Sequence, residues 1–352
     1  MFIQAATKKY EVTIHNNFEP LEALVVDEKT FVVIDKNVYD LYRDRLFDSI
    51  PEKQLYILEA TEEHKVIETA MEICEIMTGI PAKRNSRLVS IGGGIVQDVT
   101  GFVANILYRG IHWTFYPTTL LASCDSCIGG KTSLNYKKFK NLLGTFYPPD
   151  RLYICTPFFK TLTPRDFRSG LGEVVKFNVM RGEEGICNME ENLGKLLERD
   201  DDTLLTFVES SLAFKKKFIE VDEFDRGVRI QLNFAHTFGH AFESVSDYAI
   251  PHGTAVAMGT IVANRISLAR GWMDEETVQR IEKLLYQIIK INKNDIDVDM
   301  DNIIKAIHKD KKQTGSSLTA VLMKGKDLKL EIVHDVERSE IEQAVRYLFD
   351  HI

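Results

Sequence analysis

The stretch Asn233-Phe234-Ala235-His236-Thr237-Phe238-Gly239-His240, followed by His252-Gly253, gathers side chains suited to metal chemistry. His236 and His240 are four residues apart, so on a helix both imidazoles share one face. His252 could bring a third nitrogen from the next segment. Upstream, Glu173 and Lys176 sit three apart in GLGEVVKF, again on one helical face. Three histidines, or two and a carboxylate, suit zinc with a position left open for substrate. The same spacing also describes two helix-packing histidines with His252 in a loop.

Two glycine stretches could meet phosphates. Gly92-Gly93-Gly94-Ile95-Val96-Gln97-Asp98 follows a strand pattern and precedes a helix pattern. Glycines there let backbone N–H groups approach a diphosphate at a helix N-terminus. It lacks the G-x-G-x-x-G order, so a tight structural turn is an equal reading. Asp125-Ser126-Cys127-Ile128-Gly129-Gly130-Lys131 ends like a phosphate loop, but Cys124 or Asp125 stands where G-x-x-x-x-G-K requires glycine. That argues against ATP hydrolysis of the Walker type. Cys124 and Cys127 form one C-x-x-C without a second pair, which reads as packing thiols. Lys131, Lys176, Lys215, Arg229 and Lys312 each sit near a motif rather than in a basic run. Such a cluster suits a phosphate or carboxylate held by charge-assisted hydrogen bonds.

Positioning these groups takes a sizeable scaffold. The 352 residues are 44% hydrophobic and 27% charged, with net charge −8. That is a globular composition, unsuited to nucleic-acid or anionic-membrane binding. No apolar run approaches a membrane span and no signal-peptide core opens the chain; with five cysteines in no scaffold spacing, the expected location is cytoplasmic. TFVVID (30–35) and RLVSI (87–91) read as strands buried on both faces, with a helical pattern over 62–77 between them. WTFYPTT (113–119) and RLYICT (151–156) add strands. Residues 203–221, 255–270, 275–291, 301–312 and 338–351 read as helices, the last with a capping box of Ser339 and Glu342. Residues 318–323 and 328–333 read as a strand pair. The expected fold is an α/β domain over 1–160, then a mostly α-helical domain over 161–352.

In combination the motifs identify a resemblance. GGGIVQDVTGF, YRG, PTTLLASCDSCIGGKTSLN, KNLLGTFYPP, GLGEVVK, DEFDRGVRIQLNFAHTFGHA, HG and HKDKK follow the order and spacing of the 3-dehydroquinate synthase family, among the sugar-phosphate cyclases. The resemblance runs over roughly residues 30 to 320. It implies a Rossmann-like NAD domain, a helical metal-binding domain, zinc or cobalt as the metal, and a homodimer. It also implies a heptulosonate phosphate as substrate. Family members oxidise a ring carbon with NAD, eliminate phosphate, return the hydride and close a carbocycle by aldol addition.

Carried over by motif, Glu173, His236 and His252 resemble the metal ligands, and His240 the histidine at the substrate phosphate. Lys131, Asn141 and Lys312 resemble the other phosphate-side groups, and Arg109 in YRG an arginine given to the partner subunit. Asp125, Lys176, Lys215, Arg229 and Asn233 resemble the groups that hold substrate hydroxyls and carboxylate. Asp35, Asn37, Glu62, Lys65, Gly93, Gly94, Asp98, Thr118, Thr119, Lys131, Lys140 and Thr161 resemble the NAD contacts.

The chain departs from the family pattern at several places. Gln97 stands where glycine is usual, Ala235 replaces a glycine, Thr254 replaces a glutamate, and Phe177-Asn178 stands for Tyr-Gly. The alternatives are a paralogous cyclase forming deoxy-inosose or valiolone rings and, in another class, an NAD- and metal-dependent alcohol dehydrogenase. Asn233 favours the carboxylate-bearing substrate, since inosose-forming relatives carry an acidic residue there.

Overall fold

The computed structural model describes residues 1–81, 83–291, 299–308 and 318–352. The chain opens with β1 (Phe2–Gln4), β2 (Lys9–His15) and the one-turn helix α1 (Glu19–Glu22). Next come β3 (Thr30–Asp35), α2 (Lys36–Tyr42), β4 (Leu55–Leu58), α3 (Ile67–Thr78), β5 (Arg87–Gly92), α4 (Gly94–Ile106) and β6 (His112–Pro117). The hairpin β7 (Lys131–Tyr136) and β8 (Phe139–Phe146) precedes β9 (Arg151–Cys155). Among the described residues these strands form one sheet in the order β1-β2-β9-β6-β5-β3-β4, with β7–β8 apart. All neighbours in it are parallel except β1 on β2. The β-branched run of β3 is buried along its length because strands flank it and helices cover its faces. From β3 the chain steps one way to β4, and from β5 the other way to β6. That reversal leaves a crevice at the carboxyl ends of β3 and β5, the usual place for a ligand in such a sheet.

The remaining elements are α5 (Pro164–Val179), α6 (Glu183–Leu197), α7 (Asp201–Ile219), α8 (His236–Val245), α9 (His252–Ala269), α10 (Glu275–Ile288), α11 (Met300–His308), the hairpin β10 (Leu318–Lys324) with β11 (Lys329–Val336), and α12 (Arg338–His351). The chain divides into two compact units, Met1–Leu162 with Leu204–Phe224, and Thr163–Thr203 with Asp225–Ile352. A single break near residue 160 is therefore amended, because 204–224 packs with the first unit. Lys215 pairs with Asp125 at 2.8 Å, Gln4 N–H donates to Glu220 at 2.8 Å, and Phe224 meets Phe146 edge-on at 5.2 Å. Sequence periodicity cannot show this, since a helix reads alike in either unit.

Other expectations also shift. The helix expected over 62–77 begins at Ile67, because Val66 bridges to Asn135. The capping box of α12 is Glu337 with Glu340, not Ser339 with Glu342. Arg270 holds the Glu340 carboxylate at 2.6 Å, where it also accepts the Glu337 N–H.

The second unit is organised around α9, whose residues Gly253–Asn264 are buried on every side. Its small side chains let neighbouring helices come close. A Cβ on Gly172 of α5 would lie 1.9 Å from the Gly253 carbonyl oxygen, and one on Gly253 only 1.7 Å from that of Ser169. On the side facing α8, a Cβ on Gly259 would lie 2.3 Å from the Ala235 oxygen. By contrast, Gly194 on the exposed face of α6 has open space around its Cβ position. We expect Gly172→Ala to destabilise the protein by about 3 kcal/mol or more through overpacking. Gly194→Ala should stabilise it by up to ~1 kcal/mol through helix propensity. Urea denaturation of the two variants, with opposite shifts in midpoint, checks this.

Candidate functional site

The α5–α9 and α8–α9 crossings bring one side chain from each helix together. Glu173 of α5 is fully buried, and its Oε1 stands 3.4 Å from His236 Nε2 and 3.3 Å from His252 Nε2. Lys176 Nζ lies 2.6 Å from Oε2, yet neither carboxylate oxygen accepts an aligned hydrogen bond. Ligand atoms about 2.0–2.2 Å from a tetrahedral ion would stand about 3.3–3.6 Å apart, so these spacings fit zinc. The far ring nitrogens are anchored. His236 Nδ1 meets the Phe234 carbonyl at 3.0 Å, and His252 Nδ1 meets the Glu243 carboxylate at 3.1 Å. Such outer contacts fix the tautomer that leaves Nε2 for a metal.

The groups of this set act on one another's protonation. Burial opposes the Glu173 charge, but Lys176 and the imidazoles hold its carboxyl well below the usual range. Burial and then the Lys176 charge push His236 down to about 4. Burial would also lower His252, but Glu243 and Glu173 raise it to about 10. A metal would compete with protons for these same atoms. A second group, His240, Glu243 and His252, also has ligand atoms within 4.8 Å of one another. The first set fits better, because Glu173 is buried with no aligned donor, while Glu243 already serves the back of His252.

Two other expected residues adjoin this set. Lys176 is buried and donates to the Leu232 carbonyl at 3.2 Å. That bond ties α5 to the short turn Val228–Asn233, which carries buried Arg229 and half-buried Asn233. His240 lies one turn along α8, its ring centroid 5.4 Å from His236 and 5.9 Å from His252.

The first unit assembles a different set. Asp35 ends β3 and caps α2, accepting the Asn37 N–H at 2.8 Å. A Cβ on Gly92 would lie 3.2 Å from the Asp35 Cβ, so the two strand ends nearly touch. Gly93 caps α4 without a side-chain bond, leaving the first N–H groups of α4 and Gly94 for an anion. Thr118 and Thr119 follow β6, with Thr118 N–H donating to the Gly92 carbonyl at 2.9 Å. These backbone groups fit a dinucleotide's diphosphate.

Beside them, Lys65 binds Asp98 at 2.5 Å and Asn141 at 2.7 Å, while Lys140 pairs with Glu62 at 3.3 Å. Burial raises the Asp98 carboxyl even though Lys65 and Ser133 act against it. Ser133 bonds both Asp98 and Asn141, and Asn135 bonds Glu62 and the Asn141 N–H. Asp125 and Lys215 form their own pair. The Thr161 hydroxyl lies 3.0 Å from that of Tyr42 at the end of α2, the helix that Asp35 caps. Lys131 opens β7, and exposed Arg109 sits on a left-handed turn of Tyr108, Arg109 and Gly110. Lys312 lies outside the described residues. Sequence reading missed Ser133, Asn135 and Glu243. The signal for Glu243 was its place three residues after His240 and seven after His236, on one helical face.

Comparison with known proteins then decides the family. The family models described as 3-dehydroquinate synthase N-terminal and C-terminal match residues 55–169 and 170–313. The chain belongs to the 3-dehydroquinate synthase family. It is 38% identical over 345 residues to a 3-dehydroquinate synthase of Clostridium tetani, covering 96% of this chain and 92% of that one. The 3-dehydroquinate synthase of Dictyoglomus turgidum is 35% identical, covering 98% and 97%. The fold is shared with 2-epi-5-epi-valiolone synthase of Streptomyces hygroscopicus, solved with NAD and zinc, at TM-score 0.84, 24% identity and 97% coverage of both chains.

Departures from the 3-dehydroquinate synthase pattern have structural accounts. Ala235 adopts φ 70°, a left-handed cap where glycine is more comfortable. Gln97 is buried and exchanges two hydrogen bonds with Ser126, at 2.7 and 2.9 Å. Asn178 donates to the Val174 carbonyl at 2.8 Å within α5, and the Phe177 ring lies 4.3 Å from Lys176 Nζ. Cys124 and Cys127 are buried free thiols, and burial raises that of Cys127.

The two overlapping ligand groups make opposite predictions. His236→Ala should lose zinc by equilibrium dialysis, Glu243→Gln should weaken it about 10- to 100-fold, and His240→Ala should retain it. Zinc loss in His240→Ala with retention in His236→Ala would select the other group.

Proposed function

We propose that this chain converts 3-deoxy-D-arabino-heptulosonate 7-phosphate to 3-dehydroquinate and phosphate, with NAD recycled in each turnover. The observation that carries this reading is the buried Glu173 carboxylate facing two imidazoles, in a chain of this family. When bound, NAD would supply hydride transfer and the metal Lewis-acid polarisation of the substrate oxygen.

The remaining work falls to side chains. Glu173, His236 and His252 hold the metal. The strand-end residues Asp35, Asn37, Gly93, Gly94, Thr118 and Thr119 hold NAD, together with Glu62, Lys65, Asp98, Lys131, Lys140 and Thr161. Glu173 holds Lys176 at 2.6 Å, and Asp125 pins Lys215. Both amines are then oriented for substrate hydroxyls before substrate arrives, so little reorganisation is left for the reaction. Arg229 offers the planar fork that grips a carboxylate through paired hydrogen bonds. Asn233 sits beside it as a neutral amide, which does not repel that carboxylate. His240, Lys131, Asn141 and Lys312 take the phosphate. Arg109, exposed on its left-handed turn, reaches the partner's site in a homodimer.

The holoenzyme should release phosphate from the heptulosonate phosphate without net NADH, and faster than from glucose 6-phosphate or sedoheptulose 7-phosphate. Preference for either neutral-headed sugar would overturn the substrate, leaving only the cyclase class. Net NADH from an alcohol would indicate a dehydrogenase instead. Arg229→Lys should lower kcat/KM about 30-fold, the equivalent of ~2 kcal/mol for one charge-assisted contact. Mixing inactive Arg109→Ala and His236→Ala chains should restore about a quarter of full activity, because half the dimers then carry one intact site. No restoration would argue against a shared site.

A further inference from the structure

The second unit carries a pocket of about 610 Å³, whose lining includes Arg165 and Arg168 of α5 and Lys290 after α10. Its volume is in the range of small-molecule sites. Ile250, Ile288 and Ile291 supply apolar wall, and no aspartate or glutamate lines it among the described residues. Asp166 of α5 does not line it and accepts the hydroxyl of Thr163, a lining residue, at 2.7 Å. Arg165 spends one N–H on the Ala249 carbonyl, at 2.6 Å, and Lys290 makes a long bond of 3.4 Å to Tyr286. Arg168 has no hydrogen-bond or ion-pair partner among the described residues. Its neighbour Arg199 is depressed first by burial and then by the Arg168 charge, a sign that like charges gather here.

We propose that this pocket binds a small carboxylic acid with an apolar body, the carboxylate meeting Arg168, Arg165 and Lys290 and the body resting on the isoleucines. A planar guanidinium with open donors is suited to a carboxylate. The three cations repel one another until an anion comes between them. The site is separate from Arg229, the carboxylate group of the proposed reaction, and it does not depend on that reaction being correct. Thr254 also lines the pocket, on the first turn of the helix that opens with His252. An occupant thus touches the same turn that presents a metal ligand.

The probe is 4-fluorobenzoate, followed by fluorine NMR on the zinc- and NAD-loaded protein. Saturable binding is expected, weakened at least about tenfold by Arg168→Glu and by Lys290→Glu, since each charge reversal sets a carboxylate against the probe. Both positions reach solvent, and the circular dichroism of each variant verifies folding. Arg229→Lys should bind the probe as the unaltered protein does. Binding that survives both reversals, or that is lost in Arg229→Lys, would overturn the proposal. Inorganic phosphate displacing the probe as readily as benzoate does would overturn the requirement for an apolar body.

Discussion

The metal-site geometry rests on backbone touching backbone. The three side chains proposed to hold the metal come from three helices, and each must reach a common point with a side chain only a few bonds long. Ordinary helices pack about 8–10 Å apart, held off by their side chains. At Gly172, Gly253 and Gly259 there is no side chain to hold them off, and the carbonyls of neighbouring helices occupy the positions a Cβ would take. Glu173 follows Gly172, and His252 precedes Gly253, so each ligand flanks its own contact point. The positions of Glu173 and His252 are thus consequences of helix packing.

That packing has an electrostatic cost. Burying a carboxylate is costly, and here Lys176 and two imidazoles crowded around Glu173 outweigh that cost. Holding His236 neutral and His252 charged places unlike protonation states on rings 5.3 Å apart. A divalent cation resolves this in one stroke, because it satisfies the carboxylate and needs both Nε2 atoms bare. The first unit handles its buried charge differently. There Lys65, Asp98, Ser133 and Asn141 satisfy one another directly, which keeps a polar hairpin docked on α4.

Much of this was legible in the residues alone. The strands β3, β5, β6 and β9 announce themselves through short apolar runs, and α8 through its histidine spacing. The β7–β8 hairpin was not legible, because Gly129-Gly130-Lys131 imitates a phosphate loop while its following residues alternate only weakly. Strand β1 is short, and β2 is mostly half-buried, so their pattern is diluted. Site residues with a motif around them could be named, but Ser133 and Asn135 act through Asp98 and Glu62, distant in sequence. The membership of 204–224 was hidden for the same reason. An ion pair such as Lys215 with Asp125 spans 90 residues and leaves no periodic trace.

That long-range return of the chain bears on biosynthesis. The first unit is not a continuous stretch of polypeptide, since Leu204–Phe224 completes it after 41 residues, Thr163–Thr203, have been given to the other. On a ribosome, the sheet can form once β9 has emerged, but Asp125, Phe146 and the amino-terminal strands wait for partners more than fifty residues downstream. A chain truncated at residue 162 would lack those partners altogether. The nascent protein must therefore hold an unfinished first unit while it begins the second, and the two reach their native states in overlapping rather than successive stages.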